Sequence, residues 1–159
     1  MTRIRSLSLA ALSAPLALAL ASCGSSDGAS EEAISGEPVA AVEAPAGTSW
    51  VDTVQVTESD GYLLGNPDAP IKLLEYASLT CPACAAFAQN GADQLKEDYV
   101  ATGKVSYELR NQIHGPHDLV LAQMVRCGAP ETYHPLSDQV WKNLQEVLNP
   151  VFERQEQFG

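Results

Sequence analysis

The sequence predicts an α/β domain, and three consecutive segments carry that prediction. Ile71-Lys72-Leu73-Leu74-Glu75-Tyr76-Ala77 is a short run, apolar on both faces as a central strand is. From Pro82 to Thr102 the apolar period lengthens to that of a helix: Ala88, Ala92, Leu95 and Tyr99 share a face, while Gln89, Lys96 and Glu97 point away. Gly103 stands where such a helix stops. Val105, Tyr107 and Leu109 then alternate with Lys104, Ser106 and Glu108, the period of a half-buried strand. A strand, a crossover helix and a strand imply a parallel pair.

The flanking elements follow from the same patterns. Val51, Val54 and Val56, with Thr53 and Thr57, read as an earlier strand, closed by the turn-forming Ser59-Asp60-Gly61. Gly65-Asn66-Pro67-Asp68-Ala69-Pro70 is a rigid connector into the central strand. After Pro116 the pattern is wholly helical. Leu119, Val120, Met124 and Val125 form one apolar stripe, ending near Cys127-Gly128. Leu136, Val140, Leu144, Val147 and Leu148 form another, opened by Pro135 and interrupted by Pro150. Asp118 is expected to cap the first of these helices, and His114, His117 and His134 to lie on the surface or in loops.

A chain of 159 residues allows one ordinary domain at most, and its N-terminal part is not available to it. Residues 1–22 read as a signal peptide, with Arg3 and Arg5 before the nearly uncharged run Leu7 to Leu20, which is short for a membrane span. Leu20-Ala21-Ser22-Cys23 resembles the bacterial lipobox, which implies lipidation of Cys23 and a membrane anchor; the other reading is an ordinary secretory signal with Cys23 incidental. Gly24 after that cysteine points weakly to the outer membrane. Residues 23–49 read as a flexible linker: Gly24 to Thr48 is rich in Gly, Ser, Ala and Pro, holds five acidic residues and no Lys or Arg, and lacks apolar bulk. About two dozen such residues span roughly 25 to 30 Å. The domain then occupies 50–159, with 116–159 as its helical part.

The formal net charge is −11, and removing Arg3 and Arg5 with the signal makes it −11 − 2 = −13. A surface this acidic argues against nucleic acid and against docking on anionic lipid. Four cysteines fit an oxidising compartment: with Cys23 acylated, Cys81, Cys84 and Cys127 remain, and Cys127 has no evident mate.

The candidate chemistry lies in Cys81-Pro82-Ala83-Cys84, at the passage from strand to helix. A cysteine at a helix N-terminus meets unpaired N–H groups and the positive end of the macrodipole, both of which favour thiolate. Cys81 is therefore the expected attacking sulfur. Pro82 suits the first helical position, where its missing donor costs nothing, and Cys84 projects from the same face as Cys81, so a disulfide can close between them. No cofactor is called for. Half of a metal site is the rival reading, and it would make the chain a membrane-tethered metal-binding or delivery module. It needs further ligands, and His114-Gly115-Pro116-His117 is a turn, not one helical face. A plain structural disulfide across two residues would constrain little.

Glu75 to Cys84, introduced by Gly-Asn-Pro-Asp-Ala-Pro, resembles the DsbA-type, thioredoxin-like thiol-disulfide oxidoreductases of the bacterial envelope. The resemblance runs from about Trp50 to the end. It implies a thioredoxin-like fold with a helical insertion overlying the active site, disulfide exchange with cysteine-containing envelope proteins, a membrane redox partner and a periplasmic location. Glu75 gains a role from it. A carboxylate inside an apolar strand is unfavourable unless protonated or partnered, and similar proteins carry an acid beneath the pair that relays a proton to the second cysteine. The alternative is a solvated Glu75 at a strand end. Ala83 offers the thiolate no side-chain hydrogen bond or positive charge, so a less oxidising pair is expected than in the strongest family members. At the C-terminal end the match stops: the family returns from the insertion to a cis-proline loop, a strand and a helix. This sequence reaches Gly159 still in cap-like sequence, and none of its ten prolines takes that place. A truncated, poorly stable chain lacking the C-terminal strands is the expectation.

Overall fold

The computed structural model describes residues 37–158; the expected signal, Cys23 and most of the linker lie outside them. Four strands form one sheet: β1 Val54–Val56, β2 Tyr62–Leu64, β3 Ile71–Ala77 and β4 Val105–Asn111, in the order β1-β2-β4-β3. β3 and β4 pair in parallel from Ile71↔Val105 to Ala77↔Asn111, the geometry expected of a crossover unit. β1 with β2 and β2 with β4 are antiparallel.

The sequence reading missed β2. Three residues are too few to show a period, but Tyr62-Leu63-Leu64 sits directly behind a tight turn in which Asp60 takes φ 57°. The upstream strand is correspondingly short: Trp50–Asp52 is a single 3₁₀ turn, and Val51 and Val56 face out. The chain before it is fixed on the domain. Val42 N–H donates to Thr102 O (2.9 Å), and Trp50 Nε1–H donates to Val42 O (2.7 Å). Gly103 (φ +69°) lies beneath this contact, where any Cβ would sit 2.4 Å from Val42 O.

β4, not β3, is the buried strand of the sheet. Val105, Ser106, Tyr107 and Leu109 are buried, whereas β3 lies at the sheet edge among the described residues, with Ile71, Leu74 and Tyr76 exposed. An apolar run alone cannot separate these positions; only pairing does.

The crossover helix is α1 Pro82–Asn90, continued after Gly91 by α2 Ala92–Leu95 and by a π-helical turn, Lys96–Val100, closed by Ala101 N–H to Lys96 O (2.9 Å). The expected stripe holds at Ala88 and Ala92 and fails at Tyr99, which is exposed. The wider turn advances the chain by one residue and puts Val100 in the core instead.

Three further helices follow: α3 Pro116–Arg126, α4 Tyr133–Lys142 and α5 Leu144–Phe158. α3 buries Asp118, Ala122 and Val125, while Leu119, Val120 and Met124 point outward, so the expected stripe is rotated about the axis. Pro135 is the third residue of α4, not its opening, and α5 runs through Pro150. His134, expected at the surface, is buried on α4: its ring meets Tyr62 O (3.0 Å) and packs against Tyr107 and Tyr133. Burial holds its pKa down to about 4, so it is neutral. Tyr62 and Tyr133 stack at 3.6 Å, joining sheet to cap, and Trp141, Leu79 and Val100 complete the core.

Candidate active site

β3 ends at Ala77, and three residues, Ser78-Leu79-Thr80, carry the chain to Cys81 at the start of α1. Four backbone groups of this segment are tied. Ser78 O accepts Trp141 Nε1–H from α4 (3.0 Å) and Cys81 N–H (3.2 Å). Leu79 N–H donates to Asp118 Oδ1 (2.9 Å), and Thr80 N–H to Ser78 Oγ (3.1 Å). Leu79 and Ser78 are almost wholly buried, and they deliver Cys81 to the surface in a fixed place.

Cys81 is the N-cap residue of α1, in extended conformation (φ −84°, ψ 122°), and Pro82 is the first helical residue. Such a cap leaves the next N–H groups without partners in the helix. Cys81 makes no geometric side-chain cap, but these groups favour a negative charge on its sulfur. The Cys84 backbone bond, then the Cys84 thiol, lower the Cys81 pKa; partial burial opposes them, Ala83 N–H adds to the lowering, and the charge of Asp118 opposes it. Cys84, one turn on, moves the other way. Burial first, then its bond to Cys81, push it up to about 11, although a backbone bond at Ser78 works against the rise and the Glu75 charge adds to it. Both sulfurs carry free thiols, and Cys81 and Cys84 are each partly exposed. The arrangement is asymmetric: one sulfur disposed to be an anion, its neighbour to keep a proton.

Glu75 is half-buried on β3, on the sheet face of Leu73 and Ala77, and the Tyr107 hydroxyl donates to its Oε2. Burial raises its pKa; the Tyr107 bond counters this, the Asp138 charge adds to the rise and Lys96 lowers it. Lys96 and Asp138 are themselves an ion pair between the crossover segment and α4. Tyr107 titrates far above the usual phenol range, because of its burial and then because of Glu75. The charges of Glu75 and Cys81 thus both bear on Cys84.

Three groups at this site were not anticipated: Tyr107, Trp141 and the actual work of Asp118. Asp118 makes no side-chain cap of the expected kind; it accepts Leu79 N–H at one oxygen and His114 N–H at the other, both at 2.9 Å. Its partners lie up to 39 residues away, beyond any local pattern. Cys127 is exposed at the end of α3. His114 and His117 are exposed and His134 is spent inside the core. Among the described residues, no three His, Cys, Asp or Glu are grouped to hold a metal.

A family model described as thioredoxin matches residues 57–156. A Rickettsia bellii protein, provisionally named a protein-disulfide oxidoreductase, is 37% identical over 75 residues, which are 47% of this chain and 29% of that protein. The crystal structure of a protein-disulfide isomerase from Novosphingobium aromaticivorans is similar at TM-score 0.56 and 32% identity, over 62% of this chain and 53% of that one. That of Wolbachia pipientis alpha-DsbA1 is similar at TM-score 0.50 and 37% identity, over 52% and 42%. The chain therefore spans less than a third of the curated relative and about half of each solved neighbour.

Proposed function

We propose, from the premise that this chain belongs to the thioredoxin family, that it is a thiol-disulfide oxidoreductase working through Cys81 and Cys84. One observation carries the reading: two sulfurs one helical turn apart are pushed in opposite directions, Cys81 toward thiolate and Cys84 toward thiol. That is the division between an attacking and a resolving sulfur.

In the oxidising direction, a substrate thiolate attacks Cys81 Sγ and the Cys81–Cys84 bond breaks. Cys84 leaves with the electron pair and takes up a proton, for which Glu75 is the donor in this reading, supported by its raised pKa and its effect on Cys84. A second substrate thiolate then attacks the substrate sulfur of the mixed disulfide, and Cys81 departs as thiolate. Two electrons have passed from substrate to protein. In the reducing direction Cys81 attacks and Cys84 resolves. Pro82 supports the helix start on which the thiolate depends. The Ala83 side chain adds nothing to what its backbone N–H supplies, so the couple is less oxidising than one with a side-chain donor there.

The substrates we infer are cysteine-containing proteins of the bacterial envelope, with a membrane redox partner restoring the working state. The lipobox-like Leu20 to Cys23 supports a periplasmic domain tethered through lipidated Cys23, the outer membrane being its favoured site. The test is equilibration with glutathione buffers. A single reversible two-electron couple, lost in Cys81→Ser, together with Cys81 alkylation at neutral pH faster than an unstructured peptide thiol, is the expected result. A Cys81 no more reactive than that peptide would overturn it.

A further inference from the structure

The buried carboxylate of Asp118 is not used by the chemistry above, and its surroundings give it one. It is 1% exposed, yet it forms no ion pair among the described residues. Both oxygens are instead spent on backbone N–H groups of two separate loops, Leu79 before the cysteine pair and His114 before α3. A buried anion with no cation is expensive unless its hydrogen bonds and a helix N-terminus compensate, and Asp118 has both, standing in the first turn of α3. A neutral side chain could hold either one of these amides without burying a charge. The charge therefore calls for an explanation, and its location supplies one.

Resting on the reading of Cys81 and Cys84 as the redox pair, we propose that Asp118 is a positioning residue of that pair. Its carboxylate ties the loop before Cys81 to the start of α3, and its charge opposes the charge that Cys81 carries when reduced. Leu79 is two residues from Cys81, and Cys81 N–H is bonded back to Ser78 O, so the N-cap geometry is set through the Ser78–Leu79 peptide unit, whose N–H Asp118 holds. The same carboxylate counteracts the amides that draw Cys81 toward thiolate. Asp118 thereby keeps the helix start in place while restraining its oxidising power: a less stabilised thiolate makes the reduced form less favoured over the disulfide.

Asp118→Asn keeps the size and one acceptor oxygen and removes the charge. Ultraviolet titration of the reduced protein is expected to show Cys81 forming thiolate at lower pH than in the parent. In glutathione buffers the reduced form is expected to gain about threefold over the disulfide, some 14 mV at 29.6 mV per tenfold. Asp118→Glu, which retains the charge, is expected to stay near the parent in both readouts. A purely structural Asp118 would lower stability and leave the titration and the couple where they were; that result overturns the proposal. Should Asp118→Asn fail to fold, the parent decides. The His114 amide, bonded to the far oxygen of Asp118, is expected to shift in nuclear magnetic resonance spectra as Cys81 titrates, and a His114 amide silent through that titration overturns the coupling. A parent that never equilibrates with glutathione sinks the proposed function itself; a parent that does, beside an indistinguishable Asp118→Asn, sinks only this inference.

Discussion

The loop that leads into Cys81 and the outward face of α3 are both written in small and apolar residues, yet they are held in opposite ways. In Ser78-Leu79-Thr80 the side chain of Leu79 is fully buried, and backbone groups are claimed by Trp141 and Asp118 from two different helices. On α3, Val120 and Met124 are 58% and 62% exposed, and the Met124 carbonyl reaches no further than the adjacent cap amide of Cys127. Apolar composition alone therefore says little about rigidity. What fixes a segment is whether its polar backbone groups find partners far along the chain, since those bonds hold elements together that local structure cannot.

The largest effect that would break this contrast is at Trp141. Trp141→Ala removes both the bond to Ser78 O and a side chain that fills the core, and it is expected to cost about 3–5 kcal/mol in urea unfolding. A loss under 1 kcal/mol would mean that the loop is held by something other than α4.

Glu75→Gln comes next and sharpens the account on the sheet side of the pair. Disulfide exchange is expected to slow by about a hundredfold, at the low end of what a positioned proton donor supplies. Stability carries its own signature. The folded-state pKa of Glu75 lies above the ordinary 4.5, so from there upward the folded chain holds a proton that the unfolded chain has released. By linkage this lowers stability as pH rises through that window. The parent should lose stability relative to Glu75→Gln as pH rises above 4.5, and the two should converge in acid. Parallel stability–pH curves would show Glu75 to be solvated.

The smallest effect belongs to the other region. Val120→Thr on the outward face of α3 is expected to change stability by less than about 0.5 kcal/mol and to leave exchange kinetics untouched. A larger loss would show that this face is packed against something.

What the sequence disclosed divides along the same line. The parallel pair of β3 and β4 and the helix start at Cys81 were legible because a run, an alternation and a capping position are local signals. β2 was not, being three residues long with its pairing set by Leu109, Glu108 and Tyr107 far downstream. The rank of the strands was misjudged because β3 and β4 differ in neighbours and not in composition. On α3 the most apolar face was assigned to the interior, whereas the buried face carries Asp118, whose two backbone partners outweigh its polarity. Tyr99 fell out of phase at a π turn that no periodicity announces. At the site, Glu75 and the cysteines were visible as residue types in a pattern, while Tyr107, Trp141 and the grip of Asp118 arise only from contacts across 32, 63 and 39 residues.

Ser78 O accepts a bond from the indole of α4 and another from the amide of Cys81. Until α4 docks, the loop that carries Cys81 therefore lacks one of the two bonds held at Ser78 O. The place of Cys81 is thus completed by a helix that follows it by more than fifty residues in the chain.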